Sequence, residues 1–180
     1  MSLYEKYIEG FEGIPYVEGR DDCYGLVRKW MDKTYGMKLT NYARPCAWEN
    51  DGFNLLGDYF NREGFVLVNT QLNRLQIGDL LMMHVASRTG ISNHIGVYVG
   101  NQYVLHHLYG QASKADPLND RWKNRVLDVI RHPEIAAKNQ EQTQSVDFMT
   151  LLPPHLREKY ERRLVETMDS PDRTVRLPPK

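Results

Sequence analysis

Apolar residues recur at helical spacing early in the chain and at every second position in its middle. Leu3, Tyr7, Ile8 and Phe11 fall on one helical face, so residues 3–11 are expected to form a short amphipathic helix, broken by Gly10, Gly13 and Pro15. Leu26, Val27, Trp30, Met31 and Tyr35 define the apolar face of a second helix. Asp21 or Asp22 can cap its first free N–H groups, and Gly36 is a natural stop. Trp48, Phe53, Leu55, Leu56, Tyr59 and Phe60 suggest a third helix within residues 46–63, weakened by Gly52 and Gly57 and ended by Gly64. The period then changes. Leu80 to Met83 is a short apolar run, and Ile95, Val97 and Val99 alternate with Gly96 and Tyr98. Gly100-Asn101-Gln102 supplies a tight turn, Tyr103 to His107 returns as the partner strand, and Val126 to Arg131 reads as a further strand. Helices first and an antiparallel sheet after them predict an α+β domain.

That domain is expected to span residues 1–132. Residues 133–147 are polar and rich in Gln and Glu, and read as a linker. Pro153 and Pro154 can start a last helix carrying Leu156, Tyr160, Leu164 and Met168, and Ser170 to Lys180 is proline-containing and expected to be unpacked. Residues 133–180 are therefore a C-terminal extension.

Composition adds mainly exclusions. A hydrophobic share of 41% suffices for a packed core, and 23 basic against 23 acidic side chains leave no net charge. Such a balance gives no footprint for nucleic acid or an anionic membrane. No apolar window is long enough to span a bilayer. The N-terminal residues show no basic stretch followed by an apolar run, so no secretory signal is expected and synthesis is assigned to the cytoplasm. Two cysteines, Cys23 and Cys46, are too few for a disulfide scaffold, though a single bridge between them stays open.

The chemistry begins with Cys23, which follows two capping candidates and so falls in the first turn of a helix. The partial positive charge and free N–H groups there lower a thiol pKa, and the Cys23 backbone N–H can serve a developing oxyanion. Asp22 works against this, so a neighbouring imidazolium is needed. Taken alone, such a cysteine is more often a buried structural thiol. His94 opens the alternating strand and His106 lies twelve positions on, across the hairpin. Paired there, the two imidazoles can face each other, one taking the thiol proton while the other fixes its tautomer and orientation. Surface histidines or a metal site are the default reading of such a pair. Zinc on Cys23, His94 and His106 has the right ligand types, but the spacing matches no zinc pattern. His107 should point to the opposite face, and a one-residue slip would exchange it with His106. Cys46, Trp30, Trp48 and Trp122 read as packing residues, and Arg162-Arg163 as a solvated face.

Ordered motifs carry more than these residues do singly. Asp22-Cys23-Tyr24-Gly25-Leu26-Val27 resembles the nucleophile motif of NlpC-type papain-like cysteine peptidases, with Tyr24 in place of a common serine. Gly13-Ile14-Pro15-Tyr16-Val17 resembles the segment upstream of it, Gly78-Asp79-Leu80-Leu81 the start of the family's sheet, and His94 to Gly100 its His-x-Gly motif. His106 falls on the third polar position. His106-His107-Leu108-Tyr109-Gly110 with Ser113, then Trp122 and Val129-Ile130-Arg131-His132, resembles the tail-tip branch carried by tailed bacteriophages such as lambda. The resemblance covers roughly residues 10–132. It implies a papain-like domain with N-terminal helices packed on a central antiparallel sheet. It also implies a cysteine endopeptidase that hydrolyses amide bonds in peptidoglycan stem peptides or cross-bridges. Cys23 would be nucleophile, His94 base and His106 its orienter, with the Tyr16 hydroxyl near the oxyanion; no metal or cofactor is required. Implied partners are peptidoglycan peptides and other tail-tip proteins, and the implied location is the tail tip of a virion. A structural or assembly role in the tail tip, with a vestigial or protein-processing site, is the alternative.

Overall fold

The computed structural model describes residues 4–45, 48–142, 153, 155 and 156. The chain divides into two units, residues 1–142 and 143–180. The expected last helix with Tyr160, Leu164 and Met168, the proline-containing end, Arg162-Arg163 and Cys46 all lie outside the described residues.

In the first unit, α1 (Glu5–Ile8) and α2 (Cys23–Tyr35) precede a 3-10 turn (Trp48–Asp51) and α3 (Leu55–Arg62). Then follow β1 (Val66–Leu67), β2 (Leu80–Met83), β3 (His94–Gly100), β4 (Tyr103–His106), β5 (Lys114–Pro117), α4 (Asp120–Lys123), β6 (Val126–Arg131) and α5 (Pro133–Gln142). The six strands make one sheet in the order β1-β6-β2-β3-β4-β5, with every neighbouring pair antiparallel. The expected α+β architecture is what forms.

Helix α2 is the central helix. Asp22 caps it by accepting from the Gly25 N–H, and Gly36 ends it in the left-handed conformation at φ 70°. Its apolar face, with Tyr24, Val27, Trp30 and Met31 all buried, packs with Ile95, Val97, Val99 and Leu105 of β3 and β4. The opposite sheet face carries a second core of Leu81, Met83, Tyr98, Val104, Val129 and, from α4, Trp122. Period-two alternation places successive residues of β3 and β4 in the two cores by turns. Asp79 is fully buried and bound by Arg131 Nε at 2.6 Å and Nη2 at 2.8 Å, which ties the start of β2 to β6.

Six segments differ from the pattern-based expectation. The first helix covers only Glu5–Ile8. Residues 46–63 do not make one helix: Gly52 adopts φ 78°, outside the helical region, and Asn54 opens α3 afresh by capping the Gly57 N–H at 3.2 Å. Residues 133–142, expected to be linker, are helical. Ile135 is fully buried, the Lys138 ammonium donates to Tyr35 O at 2.8 Å, and Asn139 Nδ2 donates to Ile77 O at 2.8 Å. Polar side chains that bond back onto the domain give this helix what its apolar content alone does not. Finally, β1, β5 and α4 are elements the hydrophobic pattern did not announce.

Candidate active site

The loop before α2 folds back on the helix start, where Val17 bridges Asp21. Asp22 is the knot: one carboxylate oxygen accepts from the Gly25 N–H at 2.7 Å, the other from the Gly19 N–H at 2.9 Å and Arg44 Nε at 2.7 Å. The Asp22–Arg44 ion pair is almost wholly buried, the side chains 7% and 6% exposed. A Cβ on Gly25 would lie 2.1 Å from the Arg20 carbonyl oxygen, so this tight crossing requires glycine two positions after the cysteine. The result is Cys23, half-buried and with a free thiol, at the first position of α2. It opens onto a cleft of about 490 Å³ that Tyr16, Asp22, Arg44, His94 and His107 also line. Cys46, the other half of the bridge left open by the sequence, lies outside the described residues.

His94 opens β3, and its Nε2 lies 3.0 Å from His106 Nδ1. The hairpin register pairs His106 with Gly96, so the two histidines meet on a diagonal and not directly opposite one another. Gly96 makes that diagonal possible, because a Cβ there would come 2.5 Å from Val104 Cγ2 and 3.2 Å from His106 Cβ. His106 is fully buried, with the Trp122 ring edge-on at 4.5 Å. Its Nε2 lies 3.2 Å from Asp116 Oδ2 on β5, which the Lys114 ammonium also holds at 3.1 Å. In the β4–β5 register Asp116 is opposite Val104, so this step is diagonal as well. One sheet face thus carries a polar row, His94–His106–Asp116, across three strands. His107 is on the other side, buried, with Nε2 3.0 Å from Gln111 O and the edge of the Tyr16 ring against it at 5.5 Å.

The electrostatics overturn one expectation. Burial, and then the Asp22 carboxylate, push the Cys23 thiol up to about 12, against the opposing pull of the Ile95 and Tyr24 backbone N–H groups and Arg44. The helix start does not yield a low thiol pKa, because desolvation and an adjacent carboxylate outweigh the partial charge of the helix end. Burial, and then proximity to His106 and His107, hold His94 well below its ordinary value, so the ring is neutral. The resting site is a neutral thiol and a neutral imidazole lining one cleft. Tyr16 is raised by burial and by the Asp22 carboxylate, which keeps its hydroxyl protonated and able to donate.

The structure brings Cys23, His94 and Tyr16 to one cleft and sets His106 behind His94. Two residues that the sequence reading did not single out adjoin this site: Asp116, on a strand without strand-like residues, and Arg44, in an irregular segment; His107, expected on the face opposite His106, lies there and lines the cleft. The alternation His106-His107 held the signal for the last of these. Among the described residues no group of three or more His, Cys, Asp or Glu side chains is arranged to hold a metal ion. No helix among them is long and apolar enough to cross a membrane.

Comparison with known proteins gives a consistent answer. The profile of the NlpC/P60 family matches residues 13–131. The tail tip assembly protein K of Escherichia phage N15 is 30% identical over 123 residues, 67% of this chain and 49% of that protein. The tail tip assembly protein K of Escherichia phage lambda is 31% identical over 131 residues, 69% of this chain and 63% of that protein. The chain thus spans about half to under two thirds of the length of these curated relatives. Among solved structures, the peptidoglycan hydrolase RipB from Mycobacterium tuberculosis aligns with a TM-score of 0.46 and 18% identity, over 72% of this chain and 62% of that one. With a family match covering well over half its length, from the segment before Tyr16 to the end of β6, the chain belongs to the NlpC/P60 family.

Proposed function

We propose that this protein is a cysteine endopeptidase of a phage tail tip that hydrolyses amide bonds in peptidoglycan stem peptides or cross-bridges during cell-wall penetration. The observation that carries the chemistry is a free thiol and a neutral imidazole on one cleft, with the imidazole's far nitrogen bonded to a second, buried histidine at 3.0 Å. In this reading Cys23 Sγ attacks the carbonyl carbon as His94 takes the thiol proton. The developing oxyanion accepts from the Cys23 N–H and the Tyr16 hydroxyl. His94 then protonates the leaving amine, and water, activated by the same ring, releases the acyl group from the thioester. No cofactor enters. The tail-tip setting is supported by the two phage relatives and their names; the substrate class rests on family membership.

Purified protein is expected to release new amino termini from peptidoglycan sacculi, and Cys23→Ala protein to release none. Equal release by both would reject Cys23 as the nucleophile.

One observation favours a second reading, an assembly component of the tail tip with a dormant site. The thiol is held protonated in the free protein. Phage carrying Cys23→Ala separate the two: tails that assemble but infect poorly support the enzyme, and failed tail assembly supports the assembly role.

A further inference from the structure

We propose that Asp116 is a positioning residue that sets the tautomers of both histidines, so that His94 presents a bare Nδ1 to the thiol. The inference rests on the reading of Cys23 and His94 as nucleophile and base. A carboxylate accepts hydrogen bonds and cannot donate them, so the contact of Asp116 Oδ2 with His106 Nε2 at 3.2 Å requires the proton on that nitrogen. A neutral imidazole carries one N–H. His106 Nδ1 is then a lone pair, and its 3.0 Å contact with His94 Nε2 requires His94 to be the donor. His94 in turn has its single N–H on Nε2 and a lone pair on Nδ1, the only nitrogen left to receive a proton from Cys23.

Without Asp116 the chain can run backwards. His106 could carry its proton on Nδ1 and donate to His94 Nε2; His94 would then hold its own proton on Nδ1 and have no base to offer. Among the described residues no other group bonds a His106 nitrogen and so selects between the two directions. His106 is fully buried, its ring faces Trp122 on one side, and its two nitrogens touch only His94 and Asp116 among the described residues. Burial opposes the charge on Asp116, but the bonds from Lys114 and His106 outweigh it and hold the carboxyl below its ordinary value, so the acceptor is present at neutral pH. Lys114 also pins the oxygen that His106 uses, at 3.1 Å. The carboxylate has a second use during the reaction: the imidazolium formed on the buried His94 lies at the far end of a hydrogen-bonded row that ends in a negative charge.

Two-bond 1H–15N correlation spectra of the histidine rings test this directly. In wild-type protein at pH 7.5, both His94 and His106 are expected as the Nε2–H tautomer; either ring found as Nδ1–H overturns the proposal, whatever the variants do. Asp116→Leu, close in size and without an acceptor, should shift His106 away from pure Nε2–H and lower kcat about 30-fold or more with KM changed less than about twofold. Asp116→Glu keeps a carboxylate that cannot donate and should recover part of the loss, whereas Asp116→Asn, whose amide can donate to His106 Nε2, should not restore the wild-type tautomers. Unchanged kcat in Asp116→Leu also overturns it. Peptidase inactivity of the wild type with both rings Nε2–H would reject the peptidase reading and leave the tautomer assignment standing.

Discussion

Cys23 shows how far a single residue's chemistry depends on what surrounds it. Its place at a helix start, beside Asp22, is readable in the sequence. The degree of burial is not, and burial is the larger influence, setting the thiol near 12. Alkylation of Cys23 by iodoacetamide, followed by peptide mass spectrometry, should therefore climb only in the alkaline range, well above the about 8.5 of a free cysteine. Asp22→Asn keeps a capping oxygen and removes the charge that disfavours thiolate, so its curve should move to lower pH. A wild-type curve like that of free cysteine would reject this account. The histidine runs in the other sense. A base whose pKa is lowered is deprotonated, and competent, at every pH above the lowered value, so the acid limb of activity should fall below pH 6.5. His94 and His106 were legible as a pair from their spacing. Their diagonal geometry and the third partner, Asp116, were not, since both depend on register.

Among the elements, those legible in advance were the ones whose own sequence repeats a period: α2, and the β3–β4 hairpin around its turn. β5 was illegible because Lys-Ala-Asp-Pro has no strand preference, and its pairing with β4 comes from the fold. α5 was illegible because a single buried isoleucine and a set of polar bonds secure it. The Cys-x-Gly spacing of the nucleophile motif has an elementary origin at this scale. A Cβ at Gly25 meets backbone, the Arg20 carbonyl at 2.1 Å, which no rotamer change relieves. Gly25→Ala should cost about 3 kcal/mol, at the upper end for overpacking, and displace the first turn of α2. Gly57, also helical, is the comparison: the nearest atoms its Cβ would meet belong to the Asn54 side chain, at 2.5 Å, which can swing aside. Gly57→Ala should stay within about 1 kcal/mol of wild type, the helical gain offsetting the disturbed cap. Urea midpoints of the two variants decide it, and equal losses would refute the distinction.

For the whole molecule, the sequence carried the helix-then-sheet order and the family, but not the six-strand sheet that gives the site its support. Cys23 rides on a helix packed against one sheet face, and the polar row behind His94 runs across the other. The row ends on β5, the outermost strand. Beyond it, the segment before Tyr16 is the cover: Gly13 N–H donates to Ser113 O at 2.8 Å, Ser113 N–H to Ile14 O at 3.0 Å, and Ala115 N–H to a Glu12 carboxylate oxygen at 3.0 Å. Outer strands open at lower free energy than inner ones. On warming, Asp116 should part from His106 while β2, β3 and α2 are still together. Turnover should then fade at a temperature below the far-UV melting point, and return on cooling, with amides of β5 exchanging before those of β3. Coincident curves would mean that β5 opens only with the rest. A protein built this way fails gently, losing its chemistry first and its shape afterwards.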